Sequence, residues 1–190
     1  MQEKLLKNEE KNNDLGWFTV ILLALFTFFL FLNNFIIVVR VDGSSMKNTL
    51  KDGDVLFVSK NYEIDRGDVI VFDRYSSKLI KRVIAVEGDQ VYAENGVVYL
   101  KKVGETDFTA IVEDYVRGVT YDFELVNVES GYIFVLGDNR ENSQDSRIFG
   151  TVSLEKVNGE VSSITIKNKS VLTFLLGWAF DLNEFFGGIL

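Results

Sequence analysis

Apolar positions along this chain fall into three regimes. The first is residues 17–39, "WFTVILLALFTFFLFLNNFIIVV", a run without a charge that Arg40 ends. At about 1.5 Å per residue it extends roughly 35 Å as a helix, enough for a hydrocarbon core of about 30 Å. Trp17 sits where an interfacial aromatic belongs. The pattern predicts one transmembrane helix over 17–39. A cleavable signal peptide is the competing reading, but the tract is long for an h-region and no A-x-A site follows it. Residues 1–16 hold Lys4, Lys7 and Lys11. Counting Lys and Arg alone puts this segment in the cytoplasm and the remainder outside the membrane.

The second regime begins at residue 40. "DVLFVSK", "GDVIVFDRY", "KLIKRVIAVEG", "DQVYAENGVVYLKKV" and "GYIFVLGDN" are short runs rich in Val, Ile, Phe and Tyr, punctuated by Gly, Asp and Asn. That predicts a mainly β domain over 40–167. "VYAENGVVYL" reads as a hairpin, with Asn95-Gly96 supplying the positive φ angles of a two-residue turn. The third regime, residues 168–190, is apolar again. Its charge-free part, Val171 to Phe180, is too short to span a bilayer. It reads as a strand or helix completing the fold, or as a segment lying at the membrane interface.

Composition narrows the chemistry mainly by what is missing. The 190 residues contain no histidine, no cysteine and no proline. A Ser-His-Asp triad, thiol catalysis, disulfides and His- or Cys-ligated zinc are therefore excluded, and any general base must be Lys, Asp, Glu or a water they hold. No cofactor or metal is expected. The net charge of −8 lacks the basic face of a nucleic-acid binder.

Two stretches then draw attention. "VDGSSMKNTL", residues 41–50, places two serines directly after the apolar run, where a polar turn would also account for them. In "SKLIKRVIAVEGD", strand alternation sets Leu79, Lys81, Val83 and Ala85 on one face. A lysine among apolar neighbours loses basicity, as a lysine base requires. An edge lysine with its head in water fits the segment at least as well. Arg82 faces the other way among equally apolar neighbours, so alternation does not identify the buried face. "GDNRENSQDSRIFG", residues 137–150, fails the calcium-loop pattern because Arg140 stands where Asp or Asn is needed. Asp145 and Arg147 are spaced for a local ion pair in what is otherwise a polar loop.

Taken in order, "GSSMKNTL", "RGDVIVF", "KRVIAVEGD" and "GDNRENSQDSRIFG" resemble the type I signal peptidases, membrane-bound Ser-Lys peptidases. The resemblance runs from about residue 15 to 165 and includes the apolar segment before the serines. It implies a signal-peptidase-type antiparallel β-sheet domain behind one transmembrane helix, with residues 88–130 as a variable β insertion. It implies a single-pass cell-membrane protein, whose partners are signal-peptide-bearing preproteins and the lipid bilayer.

By the same match, Ser45 is the nucleophile and Lys81 its general base. Ser143, Asp145 and Arg147 support the pair, and Val41, Met46, Leu50 and Ile80 shape the pocket for a small residue before the cut. A relative acting without catalysis, or on one dedicated substrate in surface-protein or pilus assembly, is the alternative. The sequence departs from the family pattern at Asn48 and Glu87, where proline is usual.

Overall fold

A computed structural model describes residues 16–28, 30, 31 and 34–185. The expected cytoplasmic segment 1–16 lies almost wholly outside them. Two compact units divide the chain, residues 1–36 and 37–190.

In the first unit, helix α1 covers residues 16–28, 30 and 31. Its apolar side chains point outward, Trp17 at 70% exposure and Leu23 at 64%. Asn34 closes the helix, its N–H donating to Phe31 O (3.1 Å) and its Nδ2 to Leu30 O (3.0 Å). The continuous helix expected over 17–39 does not form, because Ile36–Arg40 is strand β1. The cause is local chemistry. Ile36, Ile37, Val38 and Val39 are all β-branched and suit a pleated surface. Ile37 and Val39 pack on the core while Ile36 and Val38 are exposed, the period of a strand with one face covered. Among the described residues no helix is long and apolar enough to cross a membrane.

The second unit is mainly antiparallel β-sheet. Ten further strands follow: β2 (Val55–Ser59), β3 (Val69–Arg74), β4 (Ser77–Ala85), β5 (Gln90–Glu94), β6 (Val97–Lys101), β7 (Thr109–Ala110), β8 (Phe123–Asn127), β9 (Tyr132–Leu136), β10 (Val152–Ser153) and β11 (Val157–Val161). One sheet runs β1-β2-β11-β3-β4-β9-β10 and a smaller one β7-β6-β5-β8. The smaller sheet falls inside residues 88–130. Its β5–β6 hairpin turns at Asn95 (φ 53°) and Gly96 (φ 83°), with Glu94 opposite Val97, the turn that the Asn-Gly pair predicts.

Register explains why β4 carries the site. Residues Ser77 to Arg82 all pair with β3, but β9 pairs with β4 only from Arg82 to Ala85. Among the described residues, the β9-side edge of β4 is therefore open from Ser77 to Lys81. Both faces of this strand meet apolar clusters. Val69, Val71 and Ile80 join Val41, Met46 and Leu50 in one, and Ile70, Phe72, Val83 and Val135 form another. The alternation in this strand is hard to read because both of its faces are covered.

The described part of the C-terminal apolar segment is helical. Helix α3 (Ser163–Phe185) starts earlier than the boundary expected at 168. Thr165 is buried, Ile166 packs on the core, and the Val55 N–H donates to Thr173 Oγ1 (2.8 Å), so α3 completes the fold against β2.

Candidate active site

The site is built from three pieces of chain, namely the 41–50 loop, the open part of β4, and the 137–147 segment after β9. The loop is fixed at its start by Val41 N–H to Asp54 O (2.8 Å) and Gly53 N–H to Val41 O (2.9 Å). Gly43 takes φ +95°, a conformation that favours glycine, and its N–H donates to Asp52 Oδ1 (2.9 Å). Met46 and Leu50 then plunge into the core at 1% and 0% exposure. Buried Val41 before it and Met46 after it hold Ser45, half-buried, at the cleft surface.

Lys81 Nζ lies 2.7 Å from Ser45 Oγ and 2.9 Å from Ile80 O. The lysine is 3% exposed. Burial pulls its pKa from 10.5 to about 8, against the opposing pull of the Asp145 and Asp138 carboxylates. A substantial fraction of Lys81 is therefore neutral near pH 8, with a lone pair that accepts from the serine hydroxyl.

Two buried ion pairs support this contact. Arg147 grips Asp145 through Nε–Oδ1 and Nη2–Oδ2, both 2.8 Å, and Asp145 Oδ2 accepts from the Gly137 N–H (3.0 Å). Asp145 also caps α2 (Ser146–Phe149) by accepting from the Arg147 N–H. Arg82, next to Lys81, grips Asp138 through Nε–Oδ1 (2.9 Å) and Nη2–Oδ2 (2.7 Å). Thr49 Oγ1 donates to the same carboxylate. The Asn139 N–H donates to Ser45 O (2.9 Å) and Asn139 Nδ2 to Ser44 O (3.0 Å). The serine loop and the 137–139 turn are thus stapled backbone to backbone.

Gly137 admits no side chain. A Cβ there would sit 2.2 Å from Ser143 Oγ and 2.6 Å from Ser45 O. Ser143 Oγ is buried and has no hydrogen-bond partner among the described residues, so a bond from Ser143 to Lys81 is not present.

A cleft of about 330 Å³ opens beside Ser45 and Lys81, between residues 39–46 and the open edge of β4. Val41, Met46 and Ile80 line it, together with Val71 and Leu79, which were not among the expected pocket residues. Leu50 does not line it. It is wholly buried in the core, because its turn points it inward beside Leu56 and Val58. Among the described residues, no group of three or more His, Cys, Asp or Glu is placed to hold a metal ion.

Asn48 and Glu87, the two departures from proline, both make bonds proline cannot. Asn48 Nδ2 donates to Asp138 O (2.8 Å), tying the serine loop to the 137–139 turn. Glu87 accepts from the Gly131 N–H (3.0 Å), and this bond holds its carboxyl below the usual range. Asn142 Nδ2 reaches Ser44 Oγ (2.9 Å), giving that neighbouring serine a structural partner.

Comparison with known proteins gives the family to which the chain is similar. A family described as signal peptidase, peptidase S26, matches residues 15–166. A signal peptidase I of Bacillus caldolyticus is 35% identical over 170 residues, covering 82% of this chain and 91% of that protein. A signal peptidase I of Bacillus amyloliquefaciens is 42% identical over 118 residues, covering 56% of this chain and 61% of that one. A crystal structure of a signal peptidase I from Enterococcus faecalis V583 is similar at a TM-score of 0.46 and 30% identity, over 53% of this chain and 98% of that one. With its match extending from α1 through β11 to the start of α3, the chain belongs to the S26 family of signal peptidases.

Proposed function

We propose that this serine peptidase removes N-terminal signal peptides from exported preproteins by a Ser45–Lys81 dyad. The observation that carries the reading is the 2.7 Å approach of a buried, weakly basic lysine to the Ser45 hydroxyl. Neutral Lys81 takes the hydroxyl proton as Ser45 attacks the scissile carbonyl. The ammonium then protonates the leaving amine, and water hydrolyses the acyl-enzyme with the same lysine as base. The Ser45 N–H, which no protein acceptor takes up among the described residues, supplies the oxyanion contact. Ser143, with its otherwise unpartnered hydroxyl beside Ser45 O, is assigned to orient Lys81 during turnover.

Apart from Ile80 O, which Lys81 Nζ takes up, the open edge of β4 offers backbone groups beside the dyad that no strand pairs among the described residues, so substrate binds extended as an added strand. Val41, Met46 and Ile80 then face the residue before the cut and favour a small side chain. The apolar N-terminal segment, with its outward Trp, Phe and Leu side chains, keeps the enzyme at the cell membrane and its β unit on the outer side. The presence of both dyad residues in contact favours this over a non-catalytic role. The test is incubation of the detergent-solubilised chain with a preprotein, followed by N-terminal sequencing of the product. A single cut after a small residue is expected. Intact preprotein would refute the reading.

A further inference from the structure

The insertion 88–130 sends a loop back into the scaffold of the active site. Its Glu113 carboxylate meets Arg140, whose guanidinium is wholly buried. Arg140 Nη1 donates to Glu113 Oε2 (2.8 Å) and to Thr120 Oγ1 (2.8 Å), and Nη2 donates to Glu113 Oε1. Arg140 Nε donates to Gly137 O (3.1 Å). The same Glu113 carboxylate accepts from the Tyr115 hydroxyl (2.9 Å), and the Tyr115 ring lies 4.0 Å from the Arg82 guanidinium carbon, over the ring face. Further along, the Val119 N–H donates to Glu141 Oε1 (3.2 Å).

These contacts converge on the two arginines that frame the dyad. Arg82 is the residue after Lys81. Asp138 holds the edge of its guanidinium, Gly67 O accepts from Nη1 (2.7 Å), and Tyr115 covers its face. Without the ring, one side of that guanidinium loses its cover and the cation–π attraction of a desolvated pair. Arg140 holds the carbonyl of Gly137 while Asp145 holds its N–H. That residue backs directly onto Ser45 O and leads to Asn139, which bonds Ser45 O. A buried guanidinium that loses its carboxylate is strongly disfavoured and must shift or draw in water. Displacement of Arg140 moves Gly137, and with it the register between nucleophile and base.

We propose that residues 113–120 form a positioning strap for the catalytic pair. In it Glu113 fixes Arg140 and Tyr115 fixes Arg82, so the insertion sets the geometry of the reaction without touching substrate. The proposal rests on the Ser45–Lys81 reading for its kinetic consequence, but its structural consequence is independent of it.

The test compares full-length wild type, Tyr115→Leu, Tyr115→Phe and Glu113→Gln in detergent, by preprotein cleavage kinetics and by amide hydrogen exchange. Tyr115→Leu keeps the buried ion pair, so it remains informative if Glu113→Gln fails to fold. Tyr115→Leu is expected to lower kcat about tenfold with KM within about twofold, and Phe to restore most of that loss, since positioning acts on the reacting geometry rather than on substrate affinity. Exchange at Gly137 and Asn139 is expected to accelerate at least about tenfold in Tyr115→Leu, while the β5–β6 hairpin stays unchanged. Unchanged exchange at Gly137 and Asn139 overturns the strap, as does equal loosening throughout the small sheet. If the wild type cleaves nothing, the dyad reading fails and the exchange result alone decides the strap.

Discussion

Lys81 Nζ stands 2.7 Å from Ser45 Oγ although the two residues are 36 positions apart and on different elements. The contact exists because β4 is left open on one edge up to Lys81, and the 41–50 loop, anchored by Met46 and Leu50, fills the space beside it.

Burial of Lys81 makes activity depend on pH in a defined direction. In the proposed dyad the neutral amine is the working form, and burial lowers the Lys81 pKa to about 8. The acid limb of kcat/KM is expected to rise through an apparent pKa near 8, about two units below an ordinary lysine. A rate profile against pH with a signal-peptide substrate checks this.

The same burial costs stability, and the sign follows from proton linkage. The folded pKa lies below the unfolded value of 10.5, so between about 8 and 10.5 the unfolded chain binds more protons and stability rises with pH. Below pH 8 the full penalty applies, roughly 3 kcal/mol. Lys81→Met is therefore expected to abolish cleavage yet raise Tm at pH 6, with the gain shrinking toward pH 10. Thermal unfolding of both proteins across that range measures it.

Asn48 provides a polar tie at a position where the motif resemblance leads one to expect a proline. Asn48→Ala removes the bond to Asp138 O and is expected to lower kcat several-fold, with a stability loss of about 1 kcal/mol. Asn48→Pro is expected to recover part of the rate by restricting φ, since among the described residues the Asn48 N–H donates no backbone bond. Steady-state kinetics of the two variants separates these outcomes.

Leu50 and Ile80 are expected to part company on mutation. Leu50→Ala empties a core position and is expected to destabilise by about 2–5 kcal/mol without changing the preferred cleavage site. Ile80→Ala enlarges the cleft and is expected to admit a bulkier residue before the cut. Denaturant unfolding and a substrate series with varied side chains check the pair.

These particulars show how far the sequence reaches. The Asn95-Gly96 hairpin was legible because turn chemistry is local. The Ser45–Lys81 pair was legible only through the ordered motifs, because both faces of β4 are covered and alternation there is silent. Hydropathy alone ran Ile36–Val39 into the helix, where their branched side chains instead build β1. Leu50 looked like a pocket residue because it sits in the serine motif, and only the turn shows that it points inward. The bond of Glu113 to Arg140 and the cover of Tyr115 over Arg82 join distant positions with no periodic signal, so nothing in the insertion announced them.

The central claim is tested most directly by preprotein cleavage with wild type, Ser45→Ala, Lys81→Ala and Ser44→Ala. Loss of either dyad member is expected to lower kcat by at least about a thousandfold. Ser44→Ala, which loses only the exposed Asn142 bond, is expected to stay within about threefold of wild type. Comparable activity in all four proteins would contradict the Ser45–Lys81 dyad.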